Sequence, residues 1–151
     1  MAEYLATVRW NRGDARFTDN RYSRVHEWEF DGGATVTASA SPHVVPAPLS
    51  SVQAVDPEEA FVVSLSSCHM LFFLSIAAKR GFVVDSYEDR AVGRMARNEA
   101  GKLVFDKVTL RPRIEFSGSP APDERTIATM HHQAHEECFI ANSVRTTVTV
   151  E

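Results

Sequence analysis

The strongest structural signal in the chain is the segment DPEEAFVVSLSSCHMLFFLSIAAKRG, residues 56–81. Its first four letters supply a helix N-cap, a proline for the first helical position and an acid at the third, which together form a capping box. Its end, Lys79-Arg80-Gly81, combines cations in the last turn with a glycine stop. These signals predict one helix over 57–80, about 36 Å long at ~1.5 Å per residue.

The middle of this helix, residues 61–78, is apolar on nearly every side and is interrupted only by four serines, Cys68 and His69. Its length is close to that of a membrane span. The serines and the histidine inside the run, together with flanks that resemble soluble strands, favour a helix surrounded by protein. We therefore predict a long central buried helix and no membrane partner, with His69 as a satisfied core histidine.

Segments in which apolar and polar residues alternate lie on both sides of this helix and predict β-strands. The predicted strands are 4–10, 25–30, 35–40, 87–96, 104–116 and 144–150. The second and third of them flank Asp31-Gly32-Gly33, a good hairpin turn. A second helix is expected to begin at Asp123. The order of these elements predicts an α+β fold with antiparallel sheets around the long central helix.

The length, charge and first residues of the chain limit the class of protein to which it can belong. A chain of 151 residues fits one globular domain, 1–151. Its 16 basic and 20 acidic residues give a net charge of -4, which argues against a nucleic-acid partner. The first residues show no apolar segment typical of a secretory signal, so we expect a soluble cytoplasmic protein.

The two cysteines are the main candidates for chemistry. Cys68 lies in the middle of the long helix, and Cys138 shares an apolar face of the second helix with Ile127, Met130 and Ala134. Each thiol taken alone is more often a small buried hydrophobic group than a nucleophile. Two cysteines on the buried faces of two helices could nevertheless meet in the core. A disulfide would need Cα atoms roughly 4.4–6.8 Å apart.

A metal site is an alternative use of the second helix. His131, His135 and Cys138 are spaced four and three residues apart, so all three point from one helical face. A fourth ligand such as Cys68 would complete a tetrahedral site. Exposed histidines that pair loosely with Glu136 and its neighbour are the plainer explanation. A His/Cys metal-binding module therefore stays open as an alternative.

Two motifs carry a family resemblance. DPEEAFVVSLSSCHMLFFL at 56–74 places an acid, Glu58, ten residues before Cys68. HHQAHEECFIANSV at 131–144 belongs to a helix that ends in Cys138, seventy residues after Cys68. Together with the order of strands and helices, these motifs resemble the osmotically inducible protein C and organic hydroperoxide resistance superfamily (OsmC/Ohr).

The resemblance implies a thiol-dependent peroxidase that reduces organic hydroperoxides, works as an intertwined homodimer and uses no cofactor. Cys68 would be the peroxidatic cysteine, and Cys138 would resolve its sulfenate as a disulfide. A dithiol reductant, of the lipoyl type or another, would restore both thiols. Glu58 would match the acid that holds an arginine over the thiolate. Arg24 is our choice for that arginine, and Arg21 is the fallback.

The same resemblance suggests where an organic peroxide would bind. Four apolar residues would favour alkyl or lipid hydroperoxides if they line the site: Phe61, Leu65, Phe72 and Phe139. Because ten helical residues separate Glu58 from Cys68 by about 15 Å, we expect Glu58 of one subunit to serve Cys68 of the other. A non-enzymatic binding protein for an apolar lipid or acyl ligand, with structural cysteines, is a further alternative.

Overall fold

The computed structural model describes residues 1–151, which contain two α-helices, eight strands and a short 3₁₀ helix. The chain divides into two compact units, Met1–Ala60 and Phe61–Glu151. The elements are β1 Ala6–Arg9, β2 His26–Phe30, β3 Thr35–Ala38, α1 Pro57–Lys79, β4 Val83–Asp89, β5 Val92–Arg97, β6 Leu103–Leu110, β7 Pro112–Ser117, α2 Glu124–Glu137, the 3₁₀ helix Ala141–Ser143 and β8 Thr147–Val150. The α+β fold with antiparallel sheets that the sequence predicts is confirmed.

In the first unit, β1, β2 and β3 form one antiparallel sheet in that order. The predicted hairpin between β2 and β3 is confirmed. Its turn places Gly33 at a φ of 86°, in the left-handed region that favours glycine. The loop that follows returns to the sheet, where the amide of Ser39 donates to the carbonyl of Val55 at 3.0 Å.

Both helices begin with the caps that the sequence predicts. The amide of Glu59 donates to Asp56 Oδ1 at 2.7 Å, and the amide of Asp56 donates to Glu59 Oε2 at 3.1 Å, which closes the capping box of α1. The amide of Thr126 donates to Asp123 Oδ1 at 2.7 Å and caps α2 in the same way. These local hydrogen bonds explain why the helix starts could be located from sequence.

The two long strands that the sequence predicts after α1 are each divided in two. The predicted strand 87–96 is the end of β4 followed by β5, and 104–116 is β6 followed by β7. β4 pairs with β7, whereas β5 pairs with β6 in a different sheet. The chain passes from one sheet to the other beside the paired residues Asp89 and Pro112. Pro112 has no amide hydrogen to donate. Asp89 accepts the amide of Arg111 instead, at 2.6 Å.

The last strand differs from expectation in its start and its direction. It begins at Thr147 rather than at residue 144, because the 3₁₀ helix Ala141–Ser143 occupies the chain just before it. β8 then pairs with β6 in parallel, which makes it the exception among the otherwise antiparallel strand pairs. Two hydrophobic clusters fill the second unit: one contains Phe73, Ala77, Met130 and Ala134, and the other contains Leu65, Val108 and Leu110.

The helix α1 is buried along one stripe. Leu65, His69, Phe73 and Ala77 recur every four residues and are buried, whereas Val63 is 60% exposed and Leu71 is 61% exposed. By length and composition α1 is apolar enough to cross a membrane, a property that it shares with the core helices of soluble proteins. A single chain of this size therefore leaves much of its most apolar helix uncovered.

Candidate active site

The two cysteines meet in the second unit. Both are free thiols; Cys68 is partly buried and Cys138 is 1% exposed. Burial is the main cause that raises the pKa of the Cys138 thiol to about 11, and hydrogen bonding with the Cys68 thiol adds to this effect. The Cys68 thiol is therefore close enough to act on the pKa of Cys138.

The chain around Cys138 is held by a short network of hydrogen bonds. Cys138 is the C-cap of α2, and its Sγ accepts the amide of Ala141 at 3.4 Å. Its carbonyl accepts the amide of Asn142 at 3.0 Å, while the side-chain amide of Asn142 donates to the carbonyl of Glu136 at 2.8 Å. These contacts fix the turn after α2, so the thiol is held in place without a long flexible loop.

An open groove of about 450 Å³ gives access to Cys68. It is lined by Ser64, Ser67, Cys68, Leu71, Phe72, Ser75, Phe139 and Ile140. The rings of Phe72 and Phe139 meet edge to face with their centroids 5.1 Å apart, and Phe139 is 69% exposed at the mouth. The groove thus has serine hydroxyls along one helix and an aromatic wall.

Two of the four residues expected near the peroxide do not line this groove. Leu65 is buried in the cluster with Val108 and Leu110, and Phe61 packs against that cluster with its ring stacked on Phe105 at 4.8 Å. The reason is helical geometry: these side chains point from α1 toward the sheet that contains β6. Phe72 and Phe139 do line the groove.

Arg24 and Glu58 both lie in the first unit but do not pair there. The Arg24 guanidinium stacks 3.7 Å from the centre of the Tyr22 ring and donates to Asn20 Oδ1 at 2.9 Å and to the carbonyls of Asn20 and Tyr22. Glu58 Oε2 is buried without a hydrogen-bond partner. Arg21 is exposed. A buried carboxylate oxygen that accepts no hydrogen bond lowers the stability of the fold. A cation or a hydrogen-bond donor beside Glu58 would remove this cost.

Arg24 also borders an apolar pocket of the first unit. Its volume is about 530 Å³, and aromatic rings form much of its wall. The lining residues are Val8, Trp10, Phe17, Tyr22, Arg24, His26, Ser39, Ala40 and Pro57. The Phe17 and Tyr22 rings are stacked with centroids 4.7 Å apart, and the indole nitrogen of Trp10 donates to the carbonyl of Ser23 at 2.8 Å.

A buried histidine pair is the feature that sequence analysis missed. His69 Nε2 and His131 Nδ1 are 2.9 Å apart, and the His131 ring stacks on Phe73 with centroids 4.3 Å apart. Burial is the main cause that lowers the pKa of both histidines to about 4, so both are neutral at pH 7. The 62 residues that separate the pair in sequence leave no local signal for it.

The alternative metal module finds no support in the geometry. No group of three or more His, Cys, Asp or Glu side chains is arranged to hold a metal ion. His131 is turned toward His69, and Cys138 toward Cys68. The predicted set of His131, His135 and Cys138 is therefore not assembled as a ligand cluster.

The fold and the paired thiols define a class of small α+β proteins whose site is built on two cysteines carried by two helices. A family model described as OsmC-like protein matches residues 50–151. Since this match covers more than half of the chain, the protein belongs to the OsmC-like family, and the resemblance noted from its motifs is confirmed. A single helix of this length and composition is weak evidence for a membrane span, because the core helices of soluble proteins share both properties.

Solved structures agree with this assignment. An OsmC-like protein of unknown function from Vibrio cholerae is 59% identical, with a TM-score of 0.98 over 100% of this chain and 99% of that chain. An organic hydroperoxide resistance protein OsmC from Legionella pneumophila is 15% identical, with a TM-score of 0.68 over 100% and 98%. The organic hydroperoxide resistance protein OhrB of Bacillus subtilis is 18% identical, with a TM-score of 0.70 over 99% and 97%. A search of curated proteins found no match.

Proposed function

We propose that this protein is a thiol-dependent peroxidase that reduces organic hydroperoxides through a Cys68 sulfenate resolved by Cys138. The observation that carries the proposal is that Cys68, a thiol that lines the groove, helps to raise the pKa of a second, buried thiol, Cys138. Membership in the OsmC-like family supports a redox or hydroperoxide-resistance role. The structural likeness to named hydroperoxide resistance proteins is consistent with it.

The reduction of one hydroperoxide uses only the two thiols of the protein, and an external dithiol then restores them. The Cys68 thiolate attacks one peroxide oxygen, the O–O bond breaks, and the departing alkoxide takes a proton to leave as the alcohol. The Cys138 thiol then displaces the hydroxyl of the sulfenic acid, so that an S–S bond forms and water leaves. A dithiol reductant returns both cysteines to thiols in two exchange steps and is itself oxidised to a disulfide. No cofactor takes part in this cycle.

A cation is required in the first step, because burial alone disfavours a thiolate. We assign this role to Arg24, with Glu58 orienting its guanidinium. The unpartnered Oε2 of Glu58 supports a pairing that forms only in an assembled protein. In that assembly Glu58 of one subunit serves Cys68 of the other.

The exposed faces of α1 support an intertwined homodimer. Only 22% of the most apolar window of this helix is buried in the single chain. A soluble protein rarely leaves so large an apolar surface uncovered, and a second copy is the partner that a symmetric assembly supplies. We infer that the whole chain, 1–151, acts as one OsmC-like domain in this cytoplasmic dimer.

The groove suggests the class of peroxide. Phe72, Phe139 and Leu71 offer an apolar wall to an alkyl or lipid substituent, whereas hydrogen peroxide has no group that could use it. The test is steady-state reduction of cumene hydroperoxide and of hydrogen peroxide with dihydrolipoamide as the dithiol. We expect a higher kcat/KM for the organic peroxide, and loss of turnover in Cys68→Ser and in Cys138→Ser. Equal turnover in the Cys68→Ser variant would overturn the proposal.

A second candidate function rests on the aromatic pocket of the first unit. Its apolar lining suits a lipid or acyl ligand held without chemistry. Native mass spectrometry of the purified protein tests this function directly. A retained lipid together with thiols that do not react with peroxide would favour the binding protein over the peroxidase.

A further inference from the structure

The His69–His131 pair takes no part in the cycle just described, yet it links the two helices that carry the thiols. His69 directly follows Cys68 on α1, and His131 lies two helical turns before Cys138 on α2. Both rings are buried: His69 is 1% exposed and His131 is 9% exposed. A polar pair buried this deeply between two helices calls for an explanation beyond packing.

The hydrogen bond between the rings has a defined direction. His69 Nδ1 is buried and has no partner. Since buried N–H groups are very rarely left orphaned, we assign Nδ1 of His69 as the unprotonated nitrogen and Nε2–H as the donor to His131 Nδ1. The stacking of His131 on Phe73 fixes the plane of the acceptor ring. The hydrogen bond between His69 and His131 therefore tolerates little rotation or sliding of one helix against the other.

We propose that the His69–His131 hydrogen bond is a positioning contact that sets the register of α1 against α2 and so keeps Cys138 within reach of the Cys68 sulfenate. This inference rests on the proposed peroxidase cycle. The hydrogen bond of each ring is made with the other ring and not with a cysteine, so His69 and His131 are positioning residues. Small displacements of reacting groups cost large factors in rate, and the contact is made by the residue next to Cys68 in sequence.

The consequence concerns the fate of the sulfenic acid. In one reaction it condenses with the Cys138 thiol to give a disulfide and water. In the competing reaction a second hydroperoxide oxidises it to a sulfinic acid and leaves as the alcohol, a step that is irreversible without a dedicated repair enzyme. If the two helices lose their register, the first reaction slows and the second is unchanged. The histidine pair thus protects Cys68 from over-oxidation.

The experiment is a peroxide titration followed by intact mass, in which a disulfide lowers the mass by two hydrogens and a sulfinic acid adds two oxygens. His69→Met removes the donor, and His69→Gln places an amide donor near the position of Nε2. His132→Gln is the matched control, because His132 is an exposed residue next to His131. We expect half-maximal over-oxidation of His69→Met at about tenfold lower peroxide, with His69→Gln and His132→Gln near wild type.

Unchanged over-oxidation in a folded His69→Met protein would overturn the proposal. If that variant does not fold, His131→Phe removes the acceptor while keeping a ring on Phe73, and the same two outcomes apply. A merely structural role would lower the melting temperature without moving the ratio of disulfide to sulfinic acid. Failure of the peroxidase cycle itself is seen separately, as a wild-type protein that forms no disulfide.

Discussion

Arg24 is the residue on which the reactivity of Cys68 is expected to depend. Its guanidinium is held by Tyr22 and Asn20 and borders an aromatic pocket. Replacing Arg24 by Gln should slow the oxidation of Cys68 by cumene hydroperoxide about a hundredfold, because one charged donor to the reacting atoms is lost. Stopped-flow thiol oxidation measures this rate. Arg21→Gln is the matched control, and a larger loss in that control would contradict the assignment.

The histidine pair predicts how stability depends on pH. Burial lowers the pKa of His69 and of His131 from 6.5 to about 4, with nearby His135 adding to the effect on His69 and Asp89 opposing it on His131. Because the unfolded chain takes up these protons near pH 6.5 and the folded chain does not, their contribution to stability is present above pH 6.5 and is lost as the pH falls toward 4. The wild type should therefore be less stable at pH 5 than at pH 7.5.

Urea unfolding at pH 7.5 and at pH 5 measures this dependence. The His131→Phe variant should show a smaller difference between the two midpoints than the wild type. An equal difference in the two proteins would assign the acid sensitivity to other groups.

The close packing of strand β5 on helix α1 rests on Gly93. A Cβ atom at Gly93 would lie 2.5 Å from Val62 and 2.7 Å from Phe105, closer than side chains tolerate. We expect Gly93→Ala to destabilise the protein by about 1–3 kcal/mol in chemical denaturation. Gly32→Ala is the control, since a Cβ there meets nothing within 4 Å. Equal stability of the two variants would mean that β5 and α1 separate easily.

The helix and strand assignments show which parts of the fold have a local signal. The capping box at Asp56, the cap at Asp123 and the hairpin at Gly33 rest on neighbours in sequence, and all were predictable. The change of sheet at Asp89 and Pro112 and the parallel pairing of β8 depend on partners more than twenty residues away. No local pattern encodes such pairings.

The candidate site was likewise predictable only where the sequence carries a local signal. Cys68 and Cys138 stand out as the two cysteines on the two helices. Because α1 is apolar all round, its sequence does not tell which stripe faces the core, and it gives no sign that Phe61 and Leu65 pack with Val108 and Leu110. The partner of His69 lies on the other helix, so only the fold brings the pair together.

The uncovered face of α1 predicts that the protein is a dimer in solution. Val63 is 60% exposed in the single chain, and a charge there should prevent a second copy from covering the helix. We expect the wild type to sediment as a dimer and Val63→Glu to sediment as a monomer. Val52→Glu, at a loop residue that is 74% exposed, is the control. A wild type that is monomeric at micromolar concentration would contradict the assembly.

Intact mass before and after one equivalent of cumene hydroperoxide shows whether Cys68 and Cys138 form a redox couple. We predict the loss of both free thiols, a mass lower by two hydrogens, and full reversal by a dithiol. Peptide mapping should then place the new bond between Cys68 and Cys138. Two thiols that stay reduced in excess peroxide would mean that Cys68 and Cys138 form no redox couple.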